Sequence, residues 1–299
     1  MYGHDYVHDR IICSIHSLAD ALVYSSVYLS IASCAMMYIA CMMQEIPFSP
    51  VLCAIGFCIT FSIYNLNRKS DETEDSINHA SRYLFTKRYE RCLLALSVAA
   101  YGAALLLAGS YSWTAALITA FPLITGLLYS FPILPAATTY RRLKDIPLGK
   151  NLSISCAWAV PHALLPGTIA GSPMTGMTAA TLLFFFVLVF INTVLFDMRD
   201  VDGDAAAGIR TVPVILGVPA TTRAMVGTGV IAGLLILSVS ISHIPVWETG
   251  ILAFGICYGI GYVLSFGRTG NDHAVCDLIA DGQFITIGIV FYLMGCVFG

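Results

Sequence analysis

Nine long apolar segments, separated by polar loops, occupy most of the chain between residues 21 and 298. Each segment approaches the ~20 residues that an α-helix needs to cross the hydrocarbon core of a bilayer. The third and fourth segments follow each other almost without a loop, as do the fifth and sixth, which is typical of tight helical hairpins. The pattern predicts nine transmembrane helices at residues 21–43, 47–66, 92–110, 113–132, 151–171, 177–196, 224–243, 246–266 and 276–298.

The composition agrees with this pattern. Hydrophobic residues make up 58% and charged residues 11% of the 299 positions, whereas a soluble domain carries about 25% charged residues. We therefore expect an all-α, polytopic membrane protein with one transmembrane domain spanning residues 1–299. The net charge of -3 and the lack of a basic patch with aromatic residues argue against a nucleic-acid partner.

The cysteines and the N-terminal stretch narrow the class of protein further. The ten cysteines include no CxxC pair and mostly lie in apolar runs, so they are expected to be ordinary buried or lipid-facing residues. The first apolar segment follows a stretch with Asp5, Asp9 and Asp20 and no basic region. That stretch is not typical of a cleaved signal peptide.

The basic residues predict the orientation in the membrane. All 15 lysines and arginines lie before predicted helix 1 or in the loops 2–3, 4–5, 6–7 and 8–9. The opposite side carries only Glu45 and Glu248. Because basic residues accumulate in cytoplasmic loops, the N-terminus is predicted to be cytoplasmic and the C-terminus outside, in the cell membrane if the source is prokaryotic. Any site built from the charged loops then lies at the cytoplasmic face.

Two sets of acids and amides follow predicted helices 2 and 6. If helix 2 continues past Asn65, the first set lies at i, i+4 and i+8 and comprises Asn67, Asp71 and Asp75. The second set lies at i, i+3 and i+7 and comprises Asp197, Asp200 and Asp204. Each spacing places its set on one helix face. The sets begin 130 residues apart, which suggests a pseudo-repeat of helices 1–4 and 5–8 with helix 9 appended.

Clustered carboxylates at a membrane edge repel one another unless cations neutralise them. Mg²⁺ suits this role because it prefers carboxylate, phosphate and water oxygens. Two such clusters beside basic loops would bind a diphosphate through Mg²⁺, and the apolar helices would hold a lipid tail. The alternative is that the acids are polar caps on helix ends.

The two motifs, "NRKSDETED" and "DMRDVDGD", resemble those of the UbiA superfamily of intramembrane prenyltransferases. The similarity extends to Asn78 and Arg82 after the first motif and to "GIRTVPVILG", "LYSFP", "RLKDIPLGKNL" and "AVPHALLPG" elsewhere, so that it covers about residues 20–298. The sequence departs from the family pattern at Arg68, where an acid is usual, and at Tyr83, where proline is usual.

The resemblance implies a function and roles for individual residues. It implies Mg²⁺ ligation by both sets of residues and catalysis by Asp71, Asp75, Asp197, Asp200, Asp204, Lys144 and Tyr129. It also implies substrate binding by Asn67, Asn78, Arg82, Arg141, Arg142, Lys144, Asn151 and Arg210. The implied reaction moves a polyprenyl group from an isoprenyl diphosphate to a lipophilic acceptor, which is an aromatic compound, a quinone precursor or a lipid, and releases pyrophosphate.

Several residues keep a second interpretation. Tyr129 could shield an allylic cation or anchor the chain at the interface. Asn151 could orient a phosphate, but we favour a helix cap. His162 could face the acceptor, but we favour a hydrogen bond between helices. Asp277 and Asp281 could belong to the site or serve the helix dipole.

Two other functions stay open at this point. The first is a UbiA-type terpene cyclase that acts without an acceptor. The second, from another class, is a cation-coupled transporter, although transporter sites usually lie near the midplane and predicted helices 5 and 6 carry no acid there. A CDP-alcohol phosphotransferase does not fit, because Arg199 stands where its motif needs an aspartate. The sequence selects neither the acceptor, nor the chain length, nor the oligomeric state.

Overall fold

The computed structural model describes residues 18, 20–70, 72, 80–132, 141–206, 208–268, 270, 272 and 275–298. All regular elements within these residues are helices. In chain order they are α1 Val27–Met43, α2 Pro50–Ser70, α3 Ala80–Arg88, α4 Glu90–Tyr111, α5 Trp113–Ser130, a 3₁₀ turn Leu143–Asp145, α6 Gly149–Ala170, α7 Gly176–Arg199, α8 Val201–Ala206, α9 Val212–Leu216, α10 Val218–Ser240, α11 Val246–Ser265, a π-helical turn Val275–Ala280 and α12 Gln283–Phe298.

Seven of these helices are long and apolar enough to cross a membrane, namely α2, α4, α5, α6, α7, α10 and α11. The prediction of an all-α, multi-pass membrane protein is therefore confirmed. The apolar helices α1 and α12 are shorter, with 17 and 16 residues. For that reason the number nine stays a prediction, as do the two four-helix sets and the single domain over the whole chain.

Three of the predicted helix boundaries need correction. Helix α1 begins at Val27 rather than at residue 21, because Ser26 before it has a left-handed backbone (φ 66°). Helix α10 begins at Val218 rather than at residue 224, with a proline in its first turn, where the missing N–H costs nothing. The predicted ninth helix is divided into the π-helical turn and α12. The extension of helix 2 past Asn65 is confirmed as far as Ser70.

Helix α7 lies at the centre of the bundle. Buried residues make up 67% of its most apolar stretch but only 22% of that of α4, which faces outward. Phe184 and Phe185 of α7 pack with Met36 of α1 and Ile287 of α12 in the largest core cluster. On α11, a Cβ atom at Gly255 would lie 2.9 Å from Phe184, so the glycine permits this close packing of helices.

The cysteines behave as small apolar residues in this fold. Nine of them lie in the described part of the chain, and all nine are free thiols. The expectation of no disulfide frame is thus confirmed for these nine, while Cys13 lies outside the described residues.

Candidate active site

A cavity of about 730 Å³ opens between the ends of several helices. Apolar and aromatic side chains from α2, α5 and α6 form one part of its wall, including Ile63, Tyr64, Pro122, Ile154 and Trp158. The charged side chains in its lining are Arg68, Arg82, Lys150, Arg199, Asp200, Asp277 and Asp281. The cavity can therefore take a ligand that is charged at one end and apolar at the other.

The first turn of α6 holds the first acid of the second motif. Asp197 has a fully buried side chain, and Lys150 lies 2.8 Å from its Oδ1 atom. Asn151 donates to Oδ2 at 2.8 Å and to Thr193 Oγ1 at 3.3 Å. Helix α6 starts after Leu148, which has a left-handed backbone (φ 62°) and is its N-cap. The favoured interpretation of Asn151 as a cap is therefore wrong, because its side chain contacts α7 instead.

The second acid of this motif is paired with a neighbouring arginine. Arg199 donates from Nε to Asp200 Oδ1 at 2.8 Å and from Nη1 to Asp277 Oδ1 at 2.9 Å. Its guanidinium carbon lies 4.7 Å from the ring centre of Phe196, and only 7% of its side chain is exposed. Arg199 thus links the end of α7 to the π-helical turn.

The third acid, Asp204, lies on the short helix α8. Burial raises the pKa of its carboxyl group, Lys150 acts in the opposite direction, and Asp197 and Asp200 add to the increase. Its Oδ2 atom is buried and has no partner at hydrogen-bond geometry among the described residues, although the hydroxyl group of Thr211 lies close enough to lower the pKa. A buried carboxylate oxygen without a donor is suited to a cation, since leaving it unsatisfied costs free energy.

The carboxylates of the second motif are suitable ligands for Mg²⁺, but their positions do not form a complete metal site. They supply the hard oxygen ligands that Mg²⁺ prefers, and Asp204 leaves one oxygen unused. Within the described residues, however, no group of three acids, histidines or cysteines is close enough to form a ready metal site. Instead, Lys150 pairs with Asp197 and Arg199 pairs with Asp200.

The first motif is described only in part. Asn67 lies on α2 and lines the cavity. Asp71, Asp75 and Asn78 lie outside the described residues. Their predicted roles stay predictions.

The other predicted site residues divide into two groups. Arg82 on α3 and Tyr129 near the end of α5 line the cavity, and Lys144 lies 6.0 Å from the ring centre of Tyr129, at the limit of a cation–π contact. By contrast, seven of the predicted site residues do not line the cavity as the described residues bound it: Arg141, Arg142, Lys144, Asn151, Asp197, Asp204 and Arg210.

His162 lies in the buried interior of α6. Its Nδ1 donates to the carbonyl of Trp158 at 2.6 Å, so that Nε2 accepts from Ser33 of α1, also at 2.6 Å. Both ring nitrogens are thus used within the bundle. The favoured interpretation as a hydrogen bond between helices is confirmed.

Asp277 and Asp281 both line the cavity. Asp277 pairs with Arg199, and Asp281 accepts a hydrogen bond of 3.4 Å from Asn192 of α7. Burial raises the pKa of Asp281 to about 7, and Asp277 adds to this increase. The two acids thus lie beside the cavity rather than serving only the helix dipole.

Sequence reasoning missed four residues of this site. They are Lys150, Asn192, Arg199 and Trp158, whose Nε1 donates to Tyr64 Oη at 3.1 Å. In the sequence, Lys150 and Arg199 were used only as basic loop residues that predict the orientation in the membrane. Asn192 carried a signal, because it is an amide inside the 24-residue apolar helix α7 and polar groups at such positions are costly.

Comparison with known proteins gives a family match over most of the chain. Residues 17–287 match the model of the UbiA prenyltransferase family. Digeranylgeranylglyceryl phosphate synthase from Methanothrix thermoacetophila is 30% identical over 153 residues, which are 51% of this chain and 52% of that relative. The chain thus matches about half the length of this curated relative.

Solved structures share the fold. The apo structure of a UbiA homolog from Aeropyrum pernix K1 has a TM-score of 0.68 at 16% identity, covering 88% of this chain and 98% of that one. A UbiA homolog from Archaeoglobus fulgidus bound to GPP and Mg²⁺ has a TM-score of 0.65 at 15% identity, covering 91% and 99%. At these identities the similarity is one of fold.

Proposed function

Because this chain belongs to the UbiA prenyltransferase family, as its motifs suggested, we propose that it is an intramembrane enzyme that transfers a prenyl group from an isoprenyl diphosphate and releases pyrophosphate. The observation that carries this proposal is the cavity itself. Its charged residues meet an apolar and aromatic wall built from membrane-spanning helices. An amphiphile with a diphosphate head matches both parts.

In this proposal, Mg²⁺ is held by two sets of residues: Asn67, Asp71 and Asp75, and Asp197, Asp200 and Asp204. When bound, Mg²⁺ neutralises the diphosphate and stabilises the charge that develops on the leaving group. Support comes from the unused oxygen of Asp204 and from the Archaeoglobus homolog of the same fold, which is bound to GPP and Mg²⁺.

Lys150 has a central part in binding the donor. Without ligand, its ammonium group neutralises the buried Asp197. It also lines the cavity, so a diphosphate that enters with Mg²⁺ can take over this cation while the metal takes over the carboxylate. Arg82 lines the same cavity, and Lys144, Arg141, Arg142, Asn78 and Arg210 remain proposed contacts as the resemblance implies.

The aromatic wall has to protect the reacting carbon. Breaking the C–O bond leaves an allylic cation, which water would quench. Tyr129, Tyr64 and Trp158 surround the cavity, and the faces of such rings attract a cation at short range. The hydrogen bond between Tyr64 and Trp158 fixes the orientation of both rings.

The acceptor is the open part of the proposal. The 30% identical relative is named as the synthase of digeranylgeranylglyceryl phosphate. We therefore choose a glyceryl phosphate lipid with one geranylgeranyl group and a free hydroxyl as the first acceptor to test. Aromatic and quinone-precursor acceptors are the next class. The active site is proposed to face the cytoplasm, with a cytoplasmic N-terminus.

The experiment uses the full chain in lipid nanodiscs with geranylgeranyl diphosphate, Mg²⁺ and a membrane lipid extract. Pyrophosphate release and lipid products are followed by mass spectrometry. Asp197→Asn and Asp204→Asn are expected to lower the Mg²⁺-dependent release by at least about 100-fold, because each removes a charge that holds the metal. Asp202→Asn is the matched control, since Asp202 lies on the same short helix but is exposed.

The outcomes separate the competing functions. A prenylated lipid identifies a transferase and its acceptor, while a cyclised hydrocarbon without an adduct identifies a terpene cyclase. Release that is equally fast in EDTA, or in both motif variants, would contradict the proposal. Mg²⁺-driven or Na⁺-driven flux without any release would instead favour a transporter.

A further inference from the structure

A second polar pair lies deeper in the same cavity. Asn192 of α7 donates from Nδ2 to Oδ1 of Asp281, and both residues line the cavity. Asn192 precedes Arg199 by seven residues, so it lies about 10 Å further along α7 from the end of the helix. The pair of Arg199 and Asp277 therefore marks an outer level of the cavity and the pair of Asn192 and Asp281 an inner one.

The inner pair lies on a different face of helix α7 from Thr193 and Asp197. At about 100° per residue, the positions 193, 197 and 200 form one stripe, whose members Thr193 and Asp197 contact Asn151 of α6. The positions 192, 196 and 199 form a neighbouring stripe, which faces the segment that carries Asp277 and Asp281. Asp281 thus lies on a different side of α7 from Asp197.

The environment of Asp281 is unusual for a carboxylate. Its hydrogen bond to Asn192 measures 3.4 Å, longer than the usual 2.7–3.2 Å. Titratable and charged groups that face it are Cys276 and Asp277 on the preceding turn, Arg199 on α7, Arg82 on α3, Tyr28 on α1, Tyr64 on α2 and Tyr262 on α11. A buried carboxylate with so long a hydrogen bond is costly in a membrane protein, which makes Asp281 a candidate for function.

The chemistry of the pair fits a hydroxyl group. A hydroxyl group can donate its proton to a carboxylate while its own oxygen accepts from an amide. Asp281 and Asn192 supply these two partners side by side. An anionic group placed directly against Asp281 is disfavoured by charge repulsion, whereas a neutral hydroxyl group is not. Alcohols and phenols share the hydroxyl chemistry.

We propose that Asn192 and Asp281 bind the hydroxyl group of the acceptor and that Asp281 accepts its proton during prenyl transfer. This inference rests on the proposed function. The acceptor O–H bond breaks and its proton goes to a carboxylate oxygen of Asp281, while the acceptor oxygen forms a bond to the prenyl C1 carbon. The bond from C1 to the diphosphate oxygen breaks, and its electron pair leaves with pyrophosphate. Asn192 holds the carboxylate with one N–H of its amide and donates the other to the acceptor oxygen.

Burial gives Asp281 a proton affinity near the working pH. Its pKa of about 7 is close to the optimum for a general base, which typically contributes about 10²–10⁴-fold to a rate. Transfer should therefore decrease as the pH falls below about 7, because the carboxylate becomes protonated. Mg²⁺-dependent hydrolysis of the donor does not use this proton acceptor.

The experiment compares wild type, Asp281→Asn, Asp281→Glu and Glu248→Gln in nanodiscs with Mg²⁺ and geranylgeranyl diphosphate. The acceptors are geranylgeranylglyceryl phosphate, an alcohol, and 4-dodecylphenol, a phenol, and the choice between them identifies the source of the hydroxyl group. Glu248 is the control because it is also a buried acid in a helix but does not line the cavity within the described residues. Pyrophosphate release without acceptor and product formation with acceptor are measured between pH 5 and pH 9.

Asp281→Asn is expected to keep release without acceptor within about twofold, to lose at least about 100-fold in transfer, and to lose the decrease of the rate below pH 7. Asp281→Glu should recover part of the transfer, because it restores the proton acceptor. Transfer by Asp281→Asn within threefold of wild type, or an equal loss of both activities, would overturn the inference. So would a wild type that releases pyrophosphate but prenylates neither probe. If wild type shows no Mg²⁺-dependent release, the proposed function itself fails.

Discussion

Replacing Lys150 by methionine would test how the site balances the charge of Asp197. The ammonium group of Lys150 lies 2.8 Å from Asp197, whose side chain is fully buried, while 33% of the Lys150 side chain is exposed. Methionine keeps most of the aliphatic stem and its packing. The substitution therefore removes the cation and leaves the Asp197 carboxylate with the amide of Asn151.

The size of the effect follows from the burial of the two partners. Removing one partner of a fully buried ion pair costs about 3–5 kcal/mol. Because water reaches one third of Lys150, we expect a smaller loss of about 2 kcal/mol in the free energy of unfolding without metal. Mg²⁺ should restore this loss, since a ligand at 100 times its Kd stabilises the folded state by about 2.7 kcal/mol. Wild type should gain less, because Mg²⁺ has to displace Lys150.

The assay is a denaturant titration of the full chain in mild detergent, in EDTA and in saturating Mg²⁺. Lys69→Met is the control, because Lys69 pairs with Glu72 at the surface, where 47% of its side chain is exposed, and such pairs contribute about 0–1 kcal/mol. If Lys150→Met matches Lys69→Met in EDTA, or if Mg²⁺ leaves its deficit unchanged, the proposed exchange of Lys150 for metal is wrong.

Three further changes test other parts of the structure. Burial raises the pKa of Asp281 to about 7, so the folded state binds more protons than the unfolded chain, and the free energy of unfolding should fall as pH rises from about 4 to 7. Asp281→Asn should flatten this part of the curve of stability against pH, measured by denaturant titration. Identical curves for wild type and variant would contradict the burial of Asp281. Arg68→Ala should at least double amide hydrogen exchange in residues 20–26, because Arg68 donates to the carbonyls of Val23 and Tyr24, and unchanged exchange would refute an anchoring role. Residue 157 lines the cavity, so the larger side chain of Ala157→Trp should obstruct a long prenyl tail more than a short one. Turnover of geranylgeranyl diphosphate should fall at least about tenfold more than turnover of geranyl diphosphate in a competition assay. Equal losses for the two donors would place the tail elsewhere.

Much of the fold could be predicted from the apolar segments alone. A membrane-spanning helix satisfies its own backbone hydrogen bonds, so hydrophobic length is a direct signal. The boundaries were less certain because polar residues extend helices where tertiary contacts hold them. Helix α2 continues through Arg68, which donates to the chain before α1, and α10 begins with a turn that contains proline.

The site could be predicted only where side chains of the same chemical type recur at helical spacing. The acids of the second motif repeat along α7 and α8, so their common side was visible in the sequence. Lys150 carried no such signal, because its contact with Asp197 joins residues 47 positions apart. The same holds for Asn192 and Asp281, which are 89 positions apart. Only the packing of α7 against its neighbours brings these residues together.

Arg68 shows how this chain departs from the family pattern without losing the site. It stands where the family usually has an acid, and its guanidinium group donates to Tyr24 and Val23 and to Asn65 Oδ1 at 3.4 Å. It therefore anchors the segment before α1, near Ser26 with its left-handed backbone (φ 66°). One carboxylate of the first motif is replaced by a structural cation.

The presence of Arg68 in place of an acid changes the charge balance of the cavity. The described lining carries four cationic side chains and three carboxylates, so on its own it would attract a diphosphate without metal. The acids of the first motif, Asp71 and Asp75, would reverse this balance if they face the cavity as their spacing predicts. A diphosphate could then bind only together with Mg²⁺. Double substitution of both acids by asparagine should accordingly weaken Mg²⁺-dependent donor binding and leave a weaker, metal-independent component, which isothermal titration with geranylgeranyl diphosphate in EDTA would detect. If donor binding in EDTA is the same in this variant and in wild type, these acids do not face the cavity.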